Sequence, residues 1–354
     1  MVPPDTVGCN VDKLHVALIA PPWFEIPPAS YGGIEEVVAG LARGLVDRGH
    51  QVTVIDAGQG STPADHLHTK PEPQADHMGE QLTEMTHVAT ANRLLARVQP
   101  DIVHDHTFSG PLSAGTRTAP TIYTTHGPLT TPMAAYYRQV GTSIALVAIS
   151  HAQRAQAPDL NWAGMVHNGV DVASFPLREN KEPWVLFIGR MHPGKGAHLA
   201  IDAARAAGRR IVLAGKVHDP DEHDYFQQEV RPRLSEDAQF VGEADAELKR
   251  ELYAKAACVL FPVQWPEPFG MVMVEAMACG TPVVALRGGA VEEVVAEGHS
   301  GLVCDTVDQL PHAIEKAVRL RPTDCRRHVE EHFDVSTMAA GYERLYYQVI
   351  AGDR

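Results

Sequence analysis

Residues 265–282 read Trp265-Pro266-Glu267-Pro268-Phe269-Gly270-Met271-Val272-Met273-Val274-Glu275-Ala276-Met277-Ala278-Cys279-Gly280-Thr281-Pro282. One short segment thus carries a loop carboxylate, a helix start and a helix carboxylate. Pro268 disfavours αR geometry at Glu267, so a helix is predicted to begin after it, near Gly270. The backbone amides of Phe269, Gly270 and Met271 would then face whatever Glu267 faces, in a field that favours anions. Glu275 falls about one and a half turns further on. Carboxylates suit sugar or ribose hydroxyls and a helix N-terminus suits a phosphate, so the segment offers grips for both halves of a sugar nucleotide. An exposed Glu beside a proline, followed by a solvated helix Glu, would give the same letters by chance. The Phe-Gly pair and the apolar run into Gly280-Thr-Pro-Val-Val-Ala285 favour burial around both acids, and buried carboxylates need partners.

Working outward, the 354 residues are enough for about two domains, each with its own core. A hydrophobic content of 44% and a charged content of 21% are those of a soluble globular chain. A formal net charge of −14 argues against nucleic-acid binding and against docking to anionic lipid, which both need a basic face. The cysteines at 9, 258, 279, 304 and 325 are scattered and lack a CxxC pair, the usage of a reducing compartment without a zinc knuckle or disulfide frame. No apolar run approaches the ~18 residues of a membrane span. Met-Val-Pro-Pro-Asp-Thr at the start lacks the basic and apolar regions of a secretion signal. A soluble, cytoplasmic protein is expected.

Short apolar runs alternate with helical patterns. Strands are predicted at 14–20, 51–56, 101–104, 121–125 and 143–149, then at 184–189, 210–214, 239–241, 258–261, 282–286 and 301–304. Helices are predicted between them, among others at 34–48, 81–98, 197–207, 246–257 and 271–279. Continuous apolar strands with helical crossovers imply parallel sheets covered on both faces. Eleven strands exceed an ordinary open sheet, so the fold class is α/β with two doubly wound, Rossmann-like domains. The polar stretch Phe175-Pro-Leu-Arg-Glu-Asn-Lys-Glu-Pro183 is the expected hinge, giving domains of 1–175 and 176–334. Residues 335–350 show helical spacing, and on pattern alone the default partner of that helix is its own domain's sheet.

Further candidate chemistry lies at predicted carboxyl ends of strands, where open α/β sheets bind ligands. Gly189-Arg190-Met-His-Pro-Gly-Lys195-Gly196 sets two cations beside glycines and a helix start, the makings of a diphosphate clamp but not a Walker A loop. Tyr31-Gly32-Gly33-Ile34-Glu35 allows close backbone approach to a ligand, yet lacks the third glycine of a dinucleotide fingerprint. Gly215-Lys216 could receive a base or phosphate. His126, before a glycine, is well placed for a site. His104-Asp105-His106 is discounted as a metal site, because this chain holds nineteen histidines and most histidines are surface or satisfied core residues. Asn168-Gly169-Val170-Asp171 reads as turn chemistry that tolerates positive φ, with Asp171 a cap or surface acid.

Taken in order, these landmarks resemble the family-4 retaining glycosyltransferases of the GT-B architecture. They are Gly32-Gly33-Ile34-Glu35, Thr125-His126-Gly127, Asn168-Gly169-Val170-Asp171, Gly189-Arg190 with Lys195-Gly196, and Glu267 with Glu275 followed by Gly280-Thr-Pro. The resemblance implies two domains facing across a cleft, with residues 335–354 forming a helix that crosses back to the N-terminal domain. It implies a nucleotide-sugar donor held by the C-terminal domain and an acceptor lying mostly against the N-terminal one. Arg190 and Lys195 match the family's diphosphate-binding pair, Glu275 the carboxylate on the ribose, and Glu267 the one facing the donor sugar. His126 matches the histidine beside the transferring sugar. Gly32, Gly33, Gly189, Lys216, Phe269, Gly270 and Met271 complete the expected donor site. No metal or other cofactor is expected, since cations and helix ends would stabilise the leaving diphosphate.

Residues 1–175 carry nine Lys/Arg against sixteen Asp/Glu, and the first predicted helix has only Arg43 and Arg48 as basic residues. This favours a soluble acceptor over a membrane lipid. UDP is the first expectation for the nucleotide and GDP the second. A sugar-nucleotide epimerase on the same architecture, a glycoside hydrolase using Glu267 and Glu275, and a non-catalytic sugar-nucleotide binder remain as alternatives. The hydrolase would leave Arg190 and Lys195 without a role.

Overall fold

The computed structural model describes residues 13–29 and 32–352. Tyr31 of the first glycine turn and Cys9 therefore lie outside the described residues. The first sheet contains β1 (His15–Ile19), β2 (Gln51–Asp56), β3 (Asp65–His68), β4 (Ile102–Asp105), β5 (Thr121–Thr124), β6 (Ala145–Ala148) and β7 (Trp162–Met165). The second contains β8 (Trp184–Ile188), β9 (Arg210–Ala214), β10 (Ala238–Phe240), β11 (Val259–Phe261), β12 (Val283–Leu286) and β13 (Gly301–Cys304). Their orders are β3-β2-β1-β4-β5-β6-β7 and β10-β9-β8-β11-β12-β13. Every strand pair is parallel, as β1 with β4 and β8 with β9. In both sheets the order reverses beside the first strand, the switch point where such sheets open a ligand crevice.

The helices are α1 (Gly33–Asp47), α2 (Gln81–Val98), α3 (Thr131–Val140), α4 (His151–Ala155), α5 (Ala197–Ala206) and α6 (Pro220–Tyr225). They continue with α7 (Ala246–Lys255), α8 (Met271–Ala278), α9 (Val291–Val294), α10 (Leu310–Ala317), α11 (Pro322–His332) and α12 (Val335–Ala351). Burial follows the strand period. On β1, Val16 and Leu18 face the core beneath α1, while Ala17 and Ile19 face the core beneath α2. On β8, Leu186 packs on one side, and Val185 and Phe187 on the other.

All eleven predicted strands are present; β3 and β7 were not anticipated. β3 reads Asp-His-Leu-His and pairs only with β2, so an edge strand without an apolar face gave no hydrophobic signal. β7 reads Trp-Ala-Gly-Met at the opposite edge and is half-buried throughout.

The pattern-based default for the last helix was wrong, and the crossing implied by the resemblance is what occurs. Val335, Met338, Ala339, Tyr342, Leu345 and Tyr346 of α12 are buried in the core of the first sheet, against residues of α1 and β1. Glycine makes this seam possible. A Cβ on Gly44 would lie 2.7 Å from Ala339 Cβ, and one on Gly40 would lie 2.9 Å from Val335 Cγ1. The Asn168–Asp171 turn serves the same seam. The Val170 amide donates to Phe333 O at 2.8 Å, and the Val335 amide donates to Val170 O at 3.0 Å. Gly169 was expected to supply positive φ but has none; its bare Cα instead leaves room for the Asp334 backbone, 2.9 Å from where a Cβ would sit. Asp171 pairs with Arg43 across the same surface at 3.0 Å.

Gly44→Val should overpack the α1–α12 seam and cost about 1–3 kcal/mol. Urea denaturation monitored by fluorescence checks this. An unchanged midpoint would show that α12 does not depend on close approach.

Candidate active site

A cavity of about 170 Å³ opens between the start of α1 and the carboxyl ends of β8 and β9. Gly32, Gly33 and Glu36 contribute from the first domain; Gly189, Arg190, Lys216, Lys249, Met271 and Glu275 contribute from the second. Gly32 stands at the N-terminus of α1 with φ 148°, and a Cβ there would meet Pro28 at 2.8 Å. Gly215 lets β9 end against β8, since a Cβ would fall 1.8 Å from Gly189 O. The chain can therefore bring backbone amides to the rim without side chains intervening.

Glu275 on α8 is 5% exposed. It accepts hydrogen bonds from Lys249 Nζ at 2.9 Å and from the Tyr253 hydroxyl at 2.8 Å, both on α7. Burial alone would lower the Lys249 ammonium, but Glu275 and then Glu36 outweigh it and raise its pKa. Glu36 is pushed up by its own burial, a rise that Lys249 partly offsets. The sequence singled out Glu275 but not Lys249, Tyr253 or Glu36. The i, i+4 spacing of Lys249 and Tyr253 puts them on one face of α7; only tertiary contact reveals that α8 lies opposite.

Glu267 and Lys195 form a second cluster. Lys195 Nζ and Trp265 Nε1 both donate to Glu267 Oε2, at 2.6 and 2.7 Å. The ammonium also lies 4.7 Å from the centre of the Trp265 ring. Gly194 is required here, because a Cβ would strike the indole at 2.7 Å. Gly270 begins α8 in the left-handed region, φ 88°. The side chain of Phe269 is core, 2% exposed, so any contribution it makes to a ligand comes from its backbone.

The expected clamp is thus divided. Arg190 reaches the cavity wall but forms an ion pair with Glu222 of α6 at 3.2 Å, while Lys195 is held by Glu267 and does not line the cavity. Arg190 and Lys216 also line a smaller cavity of about 120 Å³, whose other wall is Ala75, Asp76 and Met78 of the first domain.

His126, half-buried after β5, meets His106 rather than a carboxylate; His106 Nδ1 and His126 Nε2 are 2.9 Å apart. His104, on the end of β4, holds Tyr346 with Nδ1 and Thr124 with Nε2, each at 2.8 Å. Its ring lies 4.0 Å from that of His106.

The two domains are joined across the cleft by Glu293 of α9. Its carboxylate accepts from the His151 and Ala152 amides at the start of α4, at 2.8 and 2.7 Å, and contacts His167 Nε2 at 3.1 Å. Among the described residues, Asp56, His66 and His68 have the proximity of metal ligands. The Thr62 amide donates to His66 Nε2 at 3.1 Å, which leaves His66 Nδ1 as the N–H that donates to Asp56 at 2.8 Å. Hydrogen bonding therefore accounts for this group.

Comparison with known proteins agrees with the geometry. A model described as Glycosyltransferase Family 4 matches residues 31–174, and one described as Glycosyl transferases group 1 matches residues 172–331. The chain is 24% identical to a glycogen synthase of Mycobacterium tuberculosis over 94% of each sequence. It is 29% identical to a phosphatidyl-myo-inositol mannosyltransferase of Mycolicibacterium smegmatis, over 81% of this chain and 80% of that one. Among solved structures, AviGT4, a glycosyltransferase involved in avilamycin A biosynthesis, superposes with TM-score 0.73 at 27% identity, covering 96% of this chain and 98% of that one. A sucrose-phosphate synthase of Thermosynechococcus elongatus shares the fold, with TM-score 0.79 at 19% identity over 96% of this chain and all of that one. The fold and site define a GT-B glycosyltransferase. The chain belongs to the family-4 glycosyltransferases.

Burial pushes His87 and His126 down to about 4, and lowers His104 and His106 well below the ordinary range. In the unfolded chain each would titrate near 6.5, so between about pH 6.5 and 4 the unfolded state binds more protons. The contribution of these histidines to stability is present above pH 6.5 and is lost as pH falls through that window. Urea midpoints should drop between pH 7 and 5, and His87→Gln should flatten the drop. A midpoint constant over that range would contradict the burial of these groups.

Proposed function

We propose that this glycosyltransferase is a retaining hexosyltransferase. It moves a hexosyl group from a nucleotide-sugar, a UDP-sugar before a GDP-sugar, to a hydroxyl of a soluble acceptor. The observation that carries the reading is the cavity that joins the α1 N-terminus, Arg190 and Lys216 to the buried Glu275. Ribose hydroxyls donate to the lone pairs of Glu275 that Lys249 and Tyr253 leave open. The diphosphate lies against the Gly32-Gly33 amides and the positive end of α1. Arg190 turns from Glu222 to the phosphates, exchanging one anionic partner for a more highly charged one.

Breaking the anomeric C–O bond places negative charge on the diphosphate and leaves an oxocarbenium-like sugar. Arg190, Lys195 and the starts of α1 and α8 stabilise that leaving group without a metal. Glu267, oriented by Lys195 and Trp265, faces the sugar, with the Phe269, Gly270 and Met271 amides beside it. His126 meets the sugar from the acceptor side. The leaving phosphate accepts the acceptor's proton on the face that it vacates, so configuration is retained. Two kinds of likeness support the donor class. An Anabaena protein, HepE, was solved with UDP-glucose, and a starch synthase of Arabidopsis thaliana was solved with ADP. The two relatives are named for glycogen synthesis and mannosyl transfer, consistent with a hexosyl group. The acidic first domain supports a soluble acceptor.

A panel of UDP-, GDP-, ADP- and dTDP-sugars, assayed for nucleotide release with acceptor extracts, tests the reading. Acceptor-dependent release that survives EDTA is expected. Lys195→Ala should lower kcat about 100-fold or more. Binding without release under any acceptor, or an altered sugar still joined to its nucleotide, would overturn it. Full activity in Lys195→Ala would remove that residue from the machinery.

A further inference from the structure

His106 is 3% exposed, and its Nε2 is buried with no hydrogen-bond partner among the described residues. Its Nδ1 lies 2.9 Å from His126 Nε2. Of two facing nitrogens in neutral imidazoles, one carries the proton and the other accepts it. There are two arrangements. If His126 donates from Nε2, then His106 must hold its own proton on Nε2, as a buried N–H with no hydrogen-bond partner among the described residues. If His106 donates from Nδ1, its Nε2 is an unprotonated acceptor instead. Buried orphan N–H groups are the rarer and costlier case, and unfilled acceptors are tolerated better. The second arrangement is therefore favoured.

We propose that His106 is a positioning residue that fixes His126 in the Nδ1–H tautomer, so that His126 presents an N–H donor, not a lone pair, to its ligand. The surroundings hold His106 in place for this task. The His104 ring packs tilted against it, centroids 4.0 Å apart, and both nitrogens of His104 are engaged, by Tyr346 of α12 and by Thr124 of β5. Tyr342 of α12 adds a hydrogen bond to the same Thr124 hydroxyl at 2.9 Å. The backbone of His106 is tied as well, its amide donating to Ile19 O at 2.9 Å. The helix that crosses between the domains thus supports the tautomer through His104 and His106.

A donor at Nδ1 of His126 suits an oxygen ligand, and on the functional reading above that ligand is a hydroxyl of the transferring sugar. This assignment rests on that reading for the identity of the ligand but not for the tautomer. The donor role makes a chemical distinction, since a neutral N–H donor orients a sugar hydroxyl whereas a lone pair at the same point would act as a base. Burial, which holds His126 neutral, removes the third possibility of a charged ring.

Long-range 15N–1H correlation spectra of histidine-labelled protein at pH 7.5, with His126 assigned from His126→Gln, read the tautomer directly. The Nδ1–H form is expected, and a proton on Nε2 would overturn the proposal. In His106→Asn the amide nitrogen can stand where Nδ1 stood. That variant should keep both the tautomer and kcat within about threefold. His106→Leu should shift His126 toward the Nε2–H form and lower kcat roughly 10- to 100-fold, the range for losing a group that orients a site ligand, with donor KM little changed. A Leu variant that keeps the tautomer would also overturn the proposal. If His106→Leu does not fold, the wild-type and Asn spectra decide. Full turnover in His126→Ala would overturn the sugar-facing role of His126 while leaving the tautomer measurement to stand or fall separately.

Discussion

The seam between α1 and α12 is the constraint on which the cleft depends. Gly40 and Gly44 let the last helix lie directly against the first, although the chain between them has built a whole second sheet. That return fixes where the N-terminus of α1 stands relative to β8 and β9, and hence the mouth of the cavity that they share. The Val170–Phe333 and Val335–Val170 hydrogen bonds tie the same junction at the backbone level, and Glu293 adds a tie beside it, from α9 to α4 and His167. α1 and α12 thus meet beside the site that lies between the two sheets.

Charge in the cleft is arranged as interlocked pairs. Glu275 is held by Lys249 and Tyr253, Glu267 by Lys195 and Trp265, and Arg190 by Glu222. Glu275 and Glu267 each accept from two donors, as their desolvation demands. An anionic ligand entering this site need not create charge compensation; it redistributes pairs that exist. Arg190 has the most to exchange, because it lines both cavities while its partner Glu222 lines only the smaller one.

Much of the architecture was legible because parallel strands buried on both faces must be apolar throughout, as Val16–Ile19 and Val283–Leu286 are. β3 and β7 escaped because an edge strand is freed from that demand. The landmarks at Glu267, Glu275, Arg190, Lys195 and Gly32-Gly33 were legible because each combines a charged or glycine residue with a predicted strand or helix end. Their partners were not. Glu222, Lys249 and Tyr253 carry no local signature, and they matter only because α6 and α7 come to lie beside β8 and α8. Gly169 was noticed for the wrong reason, turn geometry, when the constraint is the backbone of Asp334 close by. His106 was weighed as a metal ligand, whereas its significance comes from register. β4 and β5 pair so that Asp105 stands opposite Tyr123, which brings the segments after each strand, and so the two histidines, together.

The measurement that tests the account most directly is a crystal structure of the chain with the nucleoside diphosphate that stabilises it most, UDP being the first to try. The account predicts ribose hydroxyls within hydrogen-bond distance of Glu275, the diphosphate at the Gly32-Gly33 amides, and the Arg190 guanidinium moved from Glu222 onto the phosphates. A nucleotide bound outside this cavity, or one inside it that makes no contact with Glu275, would contradict it.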